Sequence, residues 1–239
     1  MGAGEPMFLL LHGAGDSGWY WHLVEEHLRR GGAATAAPDL PAGRTAMVEQ
    51  VDAAVQAAHG ADEVVVVGQS VGAFAAVLAA GRLPTSLLVL VAGMVPRSGE
   101  APRDWWAATG WSAAVRRQAA ADGGLTGHED PYVTFFHDVP RHLADEAMRR
   151  ERTGVLLDED APVPLDTWPD VPTRFLLCTE DRFFPADFLR AVVADRLGAV
   201  PDELRSGHCP ALSRPAELAA YLLGLLPDRT PGGGGAGAD

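Results

Sequence analysis

The chain has 239 residues, of which 47% are hydrophobic and 21% charged, and this length accommodates one sizeable globular domain with or without an insertion. Its formal net charge is -13 and all 19 basic residues are arginines, which argues against nucleic acid and anionic membrane surfaces, because both attract clustered positive charge. The N-terminus lacks the basic and apolar regions of a signal peptide, and no run approaches the roughly 18 apolar residues of a membrane span.

Cysteine usage indicates a reducing compartment. The two cysteines, Cys178 and Cys209, are too few for a disulfide framework in a chain of this size, and their spacing is not that of a metal site. We therefore expect a cytoplasmic protein.

Strands and helices alternate through the first 94 residues. Four consecutive valines at 64–67 are typical of a strand buried on both faces, and the segment after Gly72 is rich in alanine and leucine, which favour helix. Thr45 is a suitable N-cap for the helix that follows it. The predicted strands are 7–13, 33–41, 64–69 and 86–93, and the predicted helices are 19–30, 45–59 and 71–81.

The pattern changes between residues 95 and 171. No run there resembles a core strand, and seven aromatic residues are separated by charged, helix-like pieces, so we expect a mostly helical insertion that covers the sheet edge. Alternation then resumes, with a strand at 173–181, a short strand within 201–205, and helices at 186–197 and 214–226.

Repeated strand–helix units of this length predict the α/β class: a mostly parallel central sheet flanked by helices, with an inserted helical cap. We assign residues 1–94 and 172–228 to the core and residues 95–171 to the cap. Residues 229–239 are Gly-rich, and we expect this tail to be disordered.

The sequence Gly-Gln-Ser-Val-Gly places Ser70 at the corner between a buried strand and a helix. In that context a Gly-x-Ser-x-Gly motif is a nucleophile elbow, whose sharp turn exposes the serine hydroxyl at the carboxyl edge of the sheet. Gly68 and Gly72 let the strand and the helix pass close together. The spacing also arises by chance, in which case Ser70 is an ordinary turn residue, but its position favours a nucleophile.

A serine nucleophile needs a base, and the base needs an orienting acid. In this architecture the acid precedes the histidine along the chain, and each follows a strand. Of the eight histidines, His208 alone lies beyond the last predicted strand, and its alternative role is that of a surface-loop residue. We choose Asp181 as the acid because the turn, and not the strand end, points into the cleft, with Glu180 as the first alternative and Asp187 as the second.

Two backbone amides are candidates for an oxyanion hole. One is the N–H of Val71, at the start of a helix whose dipole places positive charge there. The other is the N–H of Ala14, in a loop where Gly13 and Gly15 allow close approach. We expect His12, at the end of the first strand, to be a structural hydrogen-bonding residue rather than a second base.

The segments HGAGDSGWYW, APDLP, GQSVGA, CTEDRFFP and SGHCPALSRP follow the order and spacing of the α/β-hydrolase superfamily. More narrowly, the HGA…GxWxW opening, the TED…P turn and the H-x-x-x-L-x-x-P ending resemble the branch that contains plant methyl-salicylate-type esterases and hydroxynitrile lyases. The resemblance extends from Met7 to Leu226 and is weakest across the insertion. It implies a nucleophile, an acid, a base and two oxyanion donors, which are respectively Ser70, Asp181, His208, Ala14 and Val71.

Three positions limit what the resemblance implies. Gln69 precedes the nucleophile where histidine is common in that branch, which alters the support behind the elbow. Hydroxynitrile lyases place a lysine beside the catalytic histidine, whereas here the neighbour is Cys209 and the chain has no lysine, so cyanohydrin cleavage is not expected. A dehalogenase of this fold needs a carboxylate where Ser70 stands.

The aromatic residues of the insertion have two possible roles. They form its small core, or some of them line an apolar substrate pocket, for which the candidates are Trp105, Trp106, Phe135 and Phe136. His137 and Asp138 look like an acid–base pair, but we expect a helix-cap or surface role for them.

Together these residues predict a serine hydrolase that cleaves a small to medium carboxylic ester or lactone through an acyl-enzyme, with no cofactor or metal. Two alternatives use the same scaffold. One is a non-hydrolytic lyase or cyclase acting on a metabolite, which product analysis distinguishes. The other is a small-molecule receptor, for which slow turnover and tight ligand retention are diagnostic. The oligomeric state is not predicted.

Overall fold

The computed structural model describes residues 6–41, 43–45, 47–152, 155–157 and 160–227. Within these ranges the strands are β1 (Met7–Leu11), β2 (Ala34–Ala36), β3 (Gly43–Thr45), β4 (Val64–Gln69), β5 (Thr85–Val91), β6 (Val155–Leu157), β7 (Thr173–Cys178) and β8 (Asp202–Leu204). The helices are α1 (His22–Arg30), α2 (Met47–Ala57), α3 (Gly72–Ala80), α4 (Pro102–Thr109), α5 (Trp111–Asp122), α6 (Pro131–Thr134), α7 (Arg141–Arg150), α8 (Ala186–Leu197), α9 (Pro210–Ser213) and α10 (Pro215–Gly224). A 3-10 turn at Gly18–Trp21 precedes α1.

Six strands form one sheet in the order β2-β1-β4-β5-β7-β8, and every described pairing between neighbours is parallel. The strand order runs outward in opposite directions from β1 and β4, so the topological switch point lies between these two strands. Ligands bind at the carboxyl ends of the strands at such a point. The α/β architecture expected from the sequence is therefore present.

Alternate residues of the central strands face opposite sides of the sheet, and each side is covered by helices. In β4, Val64 and Val66 pack in one hydrophobic cluster with residues of α2, α3 and α8. Val65 and Val67 pack in a second cluster with residues of α1 and α10. The four valines are buried because helices cover both faces, as the unbroken apolar run predicts.

The elements differ from the sequence predictions in four places. The second predicted strand, 33–41, is reduced to β2. Thr45 ends strand β3, and α2 begins at Met47, so Thr45 is not the N-cap predicted for this helix. The predicted closing helix, 214–226, is present as α10, but the short helix α9 that precedes it was not expected. The stretch between β5 and β7 contains helices α4 to α7 as expected, but it also contributes β6, which pairs in parallel with β3.

The sequence does not predict strand β6 because this strand is three residues long and pairs outside the main sheet, so no core-like apolar run marks it. The Gly-rich tail, 229–239, lies outside the described residues. Among the described residues, no helix has the length and apolar character needed to cross a bilayer.

Candidate active site

Ser70 lies at the turn between β4 and α3 with a positive φ of 51°. A non-glycine residue in this region is strained, and such strain is maintained only when the surroundings fix it. Here the N–H of Ser70 donates to the carbonyl of Val91 at 3.2 Å, and its own carbonyl accepts from the N–H of Met94 at 3.0 Å. Backbone contacts with the end of β5 therefore hold the elbow from both sides.

The two glycines of the motif are required by close packing. A β-carbon on Gly68 would lie 2.5 Å from the β-carbon of Ala76, on the facing turn of α3. A β-carbon on Gly72 would lie 2.3 Å from the carbonyl oxygen of His12, at the end of β1. Neither position tolerates a side chain without movement of backbone, in agreement with the sequence prediction.

The structure brings together the three predicted triad side chains, which come from loops after three different strands. The Oγ of Ser70 lies 3.2 Å from the Nε2 of His208, whose Nδ1 lies 2.7 Å from the Oδ2 of Asp181. All three residues are buried, with exposed fractions of 8%, 4% and 5% respectively. With the Nδ1 proton donated to the carboxylate, Nε2 is an acceptor for the serine hydroxyl, which is the arrangement required for general-base activation.

The carboxylate of Asp181 is held by its own turn. Its Oδ1 accepts hydrogen bonds from the backbone N–H groups of Phe183 and Phe184 at 2.7 and 2.9 Å, while Oδ2 faces His208. The alternative acids lie elsewhere. Glu180 pairs with Arg205 at 2.7 Å on the surface, and Asp187, whose side chain is 96% exposed, pairs with Arg190.

Two backbone N–H groups are unpaired near the elbow, those of Ala14 and Val71. Neither donates to another described residue, and both lie outside the described helices and strands. Ala14 is in the loop after β1 and lines the cavity beside Ser70, and Val71 immediately precedes α3. Two free donors near the nucleophile, one of them at a helix N-terminus, are the kind of groups that an oxyanion hole requires.

Gln69 and His12 form buried hydrogen bonds that hold the loops around the triad. The Nε2 of Gln69 donates to the backbone carbonyl of His208 at 3.1 Å, so the residue before the nucleophile also holds the base loop. The Nδ1 of His12 donates to the carbonyl of Gly13 at 2.8 Å, and its Nε2 accepts from the N–H of Leu40 at 3.1 Å. Burial lowers the pKa of His12. Both ring nitrogens are engaged in structural hydrogen bonds, as the sequence indicated.

His137 and Asp138 have a different role from the helix-cap or surface role expected for them. The Nε2 of His137 donates to the carbonyl of Glu180 at 3.0 Å, and the Oδ2 of Asp138 accepts from the N–H of Gly207 at 2.8 Å. These carbonyl and N–H groups belong to the residues immediately before Asp181 and His208. The two residues therefore connect the segment between β5 and β7 to both triad loops, a long-range contact that local sequence does not reveal.

A cavity of about 240 Å³ opens beside the triad. Ser70 and His208 line it together with Phe135 and Phe136, two of the predicted pocket residues. Phe183 also lines it, and its ring centroid lies 5.1 Å from that of His208. A larger groove of about 610 Å³, between α2, α3 and residues 164–171, contains none of the triad residues.

Trp105 and Trp106 do not line this cavity, so the prediction for these two residues is wrong. Trp105 is fully buried, and its Nε1 donates to the carbonyl of Val95 at 3.0 Å. The ring of Trp106 packs against that of Trp111, with their centroids 4.9 Å apart. Both belong to the cluster that joins α4 to the core face of α8, and this is the packing alternative stated above.

Two acidic residues in the cavity were missed in the sequence. Asp16, in the loop after β1, and Glu151, directly after α7, line it with the triad residues. Burial raises the pKa of Asp16 to about 7, with His208 lowering it and Glu151 raising it further. The local sequence does not distinguish these two residues, because they line one cavity only where two distant segments of the chain meet in the fold. Among the described residues, no His, Cys, Asp or Glu cluster has metal-binding geometry.

A parallel sheet with a serine elbow at its carboxyl edge is the architecture of α/β hydrolases. The sequence profile of the Alpha/beta hydrolase family matches residues 8–221, and the chain therefore belongs to that family.

Known proteins similar to this chain include plant enzymes. Norfluorocurarine synthase 1 from Strychnos sp is 23% identical over an alignment 257 positions long, which covers 92% of this chain and 95% of that protein. Methylesterase 3 from Arabidopsis thaliana is 23% identical over an alignment 247 positions long, which covers 90% of this chain and 94% of that protein. The crystal structure of polyneuridine aldehyde esterase is similar with a TM-score of 0.74 at 19% identity, covering 92% of this chain and 98% of that one. Plant methylesterases are within the branch that the sequence motifs resemble.

Proposed function

We propose that this protein is a serine-type carboxylic ester hydrolase in which Ser70 is the nucleophile, His208 the base and Asp181 the orienting acid. The observation that carries the proposal is the continuous chain of contacts from Ser70 to His208 to Asp181, at 3.2 and 2.7 Å, which begins at a strained elbow. The names of the similar methylesterase and esterase agree with it.

In the acylation step, Ser70 Oγ attacks the ester carbonyl carbon while His208 Nε2 removes the hydroxyl proton. The N–H groups of Ala14 and Val71 donate to the tetrahedral oxyanion, an interaction that is usually the largest single contribution to this catalysis. Asp181 keeps the imidazole in the correct tautomer and stabilises its cation. When the intermediate collapses, His208 returns the proton to the departing alcohol.

Deacylation repeats these steps with water as the nucleophile. His208 removes a proton from water, the hydroxide adds to the acyl carbon, and the carboxylic acid leaves as Ser70 regains its proton. Side chains and backbone amides of this chain supply every group in the cycle, so the proposal includes no cofactor or metal.

The substrate is proposed to be a small to medium ester or lactone with an apolar or aromatic portion. The cavity volume of about 240 Å³ and the rings of Phe135, Phe136 and Phe183 support this choice. Residues 95–171 are proposed to act as a cap over a core of residues 1–94 and 172–228, since Phe135 and Phe136 lie in that segment. A cytoplasmic location is also proposed, on the basis that Cys178 and Cys209 are both buried free thiols.

Hydrolysis of a p-nitrophenyl ester series with increasing acyl length tests the proposal. We expect the wild type to release p-nitrophenol and Ser70→Ala to lose this activity. Ser86→Ala, which changes an exposed serine at the opposite end of the sheet, is the matched control and retains it. A folded wild type that is inactive across the series, or a Ser70→Ala variant that remains active, contradicts the esterase assignment.

A second candidate is a non-hydrolytic reaction on a metabolite, using the same triad. The observation that favours it is the similarity to a protein named as a synthase, at the same 23% identity as the methylesterase. Mass spectrometry of products formed in water labelled with ¹⁸O separates the two, because hydrolysis alone places the label in a carboxylic acid.

A further inference from the structure

Two acidic side chains that the proposed acyl transfer does not use face the same cavity as Ser70. Asp16 is in the loop after β1, and Glu151 directly follows α7. A β-carbon on Gly15 would lie 3.5 Å from the Cγ of Glu151, so the glutamate lies over the loop that carries Asp16. The two carboxyl groups therefore approach one substrate cavity from different parts of the fold.

No described arginine forms an ion pair with either Asp16 or Glu151. The arginines adjacent to Glu151 are engaged elsewhere. The guanidinium of Arg152 donates to the carbonyl of Leu40 at 2.8 Å, and that of Arg150 pairs at 2.5 Å with a glutamate of its own helix. Once Asp16 is ionised, its negative charge faces the cavity with no described arginine to neutralise it, whereas Glu151 is an exposed residue at the cavity rim.

This charge is unfavourable in the absence of a ligand. Burial raises the pKa of Asp16 to about 7, and repulsion from Glu151 adds to the increase. A positive group beside Asp16 would offset both effects, because an opposite charge favours the ionised carboxylate. Phe135, Phe136 and Phe183 line the same cavity, and aromatic ring faces attract cations at close range.

We infer that Asp16, with Glu151 beside it, makes the cavity selective for esters that carry a positively charged group, such as a substituted ammonium. The inference rests on the proposed function and narrows its substrate class. An anionic ester would be repelled by the two acidic groups, and a neutral ester would leave Asp16 without a cation to favour its ionised form. A cation with apolar substituents fits both the carboxylates and the aromatic lining.

The expected pH dependence follows from the groups around Asp16, which are Glu151, His208, Cys209 and Tyr20. Burial raises the pKa of both Cys209 and Tyr20, so these two groups remain neutral near pH 7. His208 acts in the turnover of every ester, so its effect on the rate cancels when the kcat/KM value of one ester is divided by that of the other. Preference for a cationic ester should therefore increase as Asp16 ionises, between about pH 6 and about pH 8.

The test compares butyrylcholine with its carbon isostere, in which a tert-butyl group replaces trimethylammonium. The measured quantity is the ratio of the two kcat/KM values. We expect the wild type to favour butyrylcholine by roughly tenfold above pH 7, the size of one cation contact of this kind. Asp16→Asn should lower the ratio several-fold above pH 7 and remove its increase between about pH 6 and about pH 8, leaving only the smaller contribution of Glu151. Asp62→Asn, which neutralises an exposed carboxylate before β4, is the matched control and retains the wild-type ratio.

A wild-type ratio near one, or an unchanged ratio in Asp16→Asn, overturns the inference. If Asp16→Asn does not fold, Glu151→Gln replaces it, with a smaller decrease in the ratio expected. If neither ester is hydrolysed, calorimetric titration with choline and with its carbon isostere makes the same comparison without turnover, and equal affinities overturn the inference. Failure of the proposed function is recognised separately, by inactivity toward the neutral p-nitrophenyl series.

Discussion

The carboxylate of Asp138 accepts a hydrogen bond at 2.8 Å from the backbone N–H of Gly207, the residue before His208. The neighbouring His137 contacts the carbonyl of Glu180, the residue before Asp181. Two consecutive residues of the segment between β5 and β7 thus hold the loops of the base and of the acid. We therefore expect the loss of either contact to alter the geometry of the triad.

Replacement of Asp138 should reduce catalysis through the position of His208. Asp138→Ala leaves the Gly207 N–H without its acceptor, and we expect kcat to fall by roughly tenfold with a smaller change in KM, since small displacements of a catalytic group are costly. Asp138→Asn retains a carbonyl oxygen that can accept the same bond, so it should recover most of kcat.

The kinetic measurement is made together with thermal unfolding. Asp166→Ala, an exposed acid in the same segment, serves as the control and should behave as the wild type. If Asp138→Ala lowers Tm but leaves kcat unchanged, the residue is purely structural and the positioning role is wrong.

Asp181→Asn should reduce kcat by about 10⁴-fold with the fold retained, because an amide at this position no longer stabilises the required tautomer or the imidazolium. The two backbone N–H groups that hold the Oδ1 atom can still bond to the amide oxygen, so a folded variant is expected. Glu180→Gln tests the neighbouring acid and should have little effect, since its pair with Arg205 is exposed. Steady-state kinetics of both variants on one p-nitrophenyl ester decide which carboxylate orients His208. A greater loss of kcat in Glu180→Gln than in Asp181→Asn would reverse the assignment.

The sequence identified the residues whose roles depend on local context. Ser70 follows a run of valines that had to be a doubly buried strand, and the loop positions of Asp181 and His208 follow from chain order. Asp181 rather than Glu180 contacts His208 in the structure, because the amides of its own turn hold one of its carboxylate oxygens, and the sequence TED…P contains that turn.

Features that depend on how distant segments meet could not be predicted. The sequence suggests Trp105 as a pocket residue, whereas in the structure its indole N–H donates to the carbonyl of Val95 and its ring is buried beside α8. Asp16 looks like an ordinary loop acid, and its raised pKa arises only because burial removes water and Glu151 approaches from after α7. Asp138 acquires its role from a partner 69 positions away.

Gly72→Ala should destabilise the fold strongly. The new β-carbon would lie 2.3 Å from the carbonyl oxygen of His12, and because the obstacle is backbone, strand β1 or helix α3 must move. We expect a loss of roughly 2–3 kcal/mol in the free energy of unfolding, typical of overpacking in a dense core. Gly224→Ala, at a helical position with nothing within 4 Å of the added carbon, is the control and should be neutral or slightly stabilising. Urea titration measures both variants, and equal stabilities would show that the close approach is not a constraint.

His12 should make the fold sensitive to acid. Its folded-state pKa is lowered by burial, so below the unfolded value of about 6.5 the unfolded chain binds a proton that the folded chain excludes. The stability that His12 contributes is therefore fully present at about pH 8 and is lost as the pH falls toward about 5. Because one proton is involved, the slope of unfolding free energy against pH that is due to His12 has an upper limit of about 1.4 kcal/mol per unit. In His12→Gln this contribution disappears, whereas His59→Gln, at an exposed position, retains the wild-type slope. Urea titrations across this pH range measure the slopes, and identical slopes for the wild type and His12→Gln would show that the buried imidazole is not the origin of the acid sensitivity.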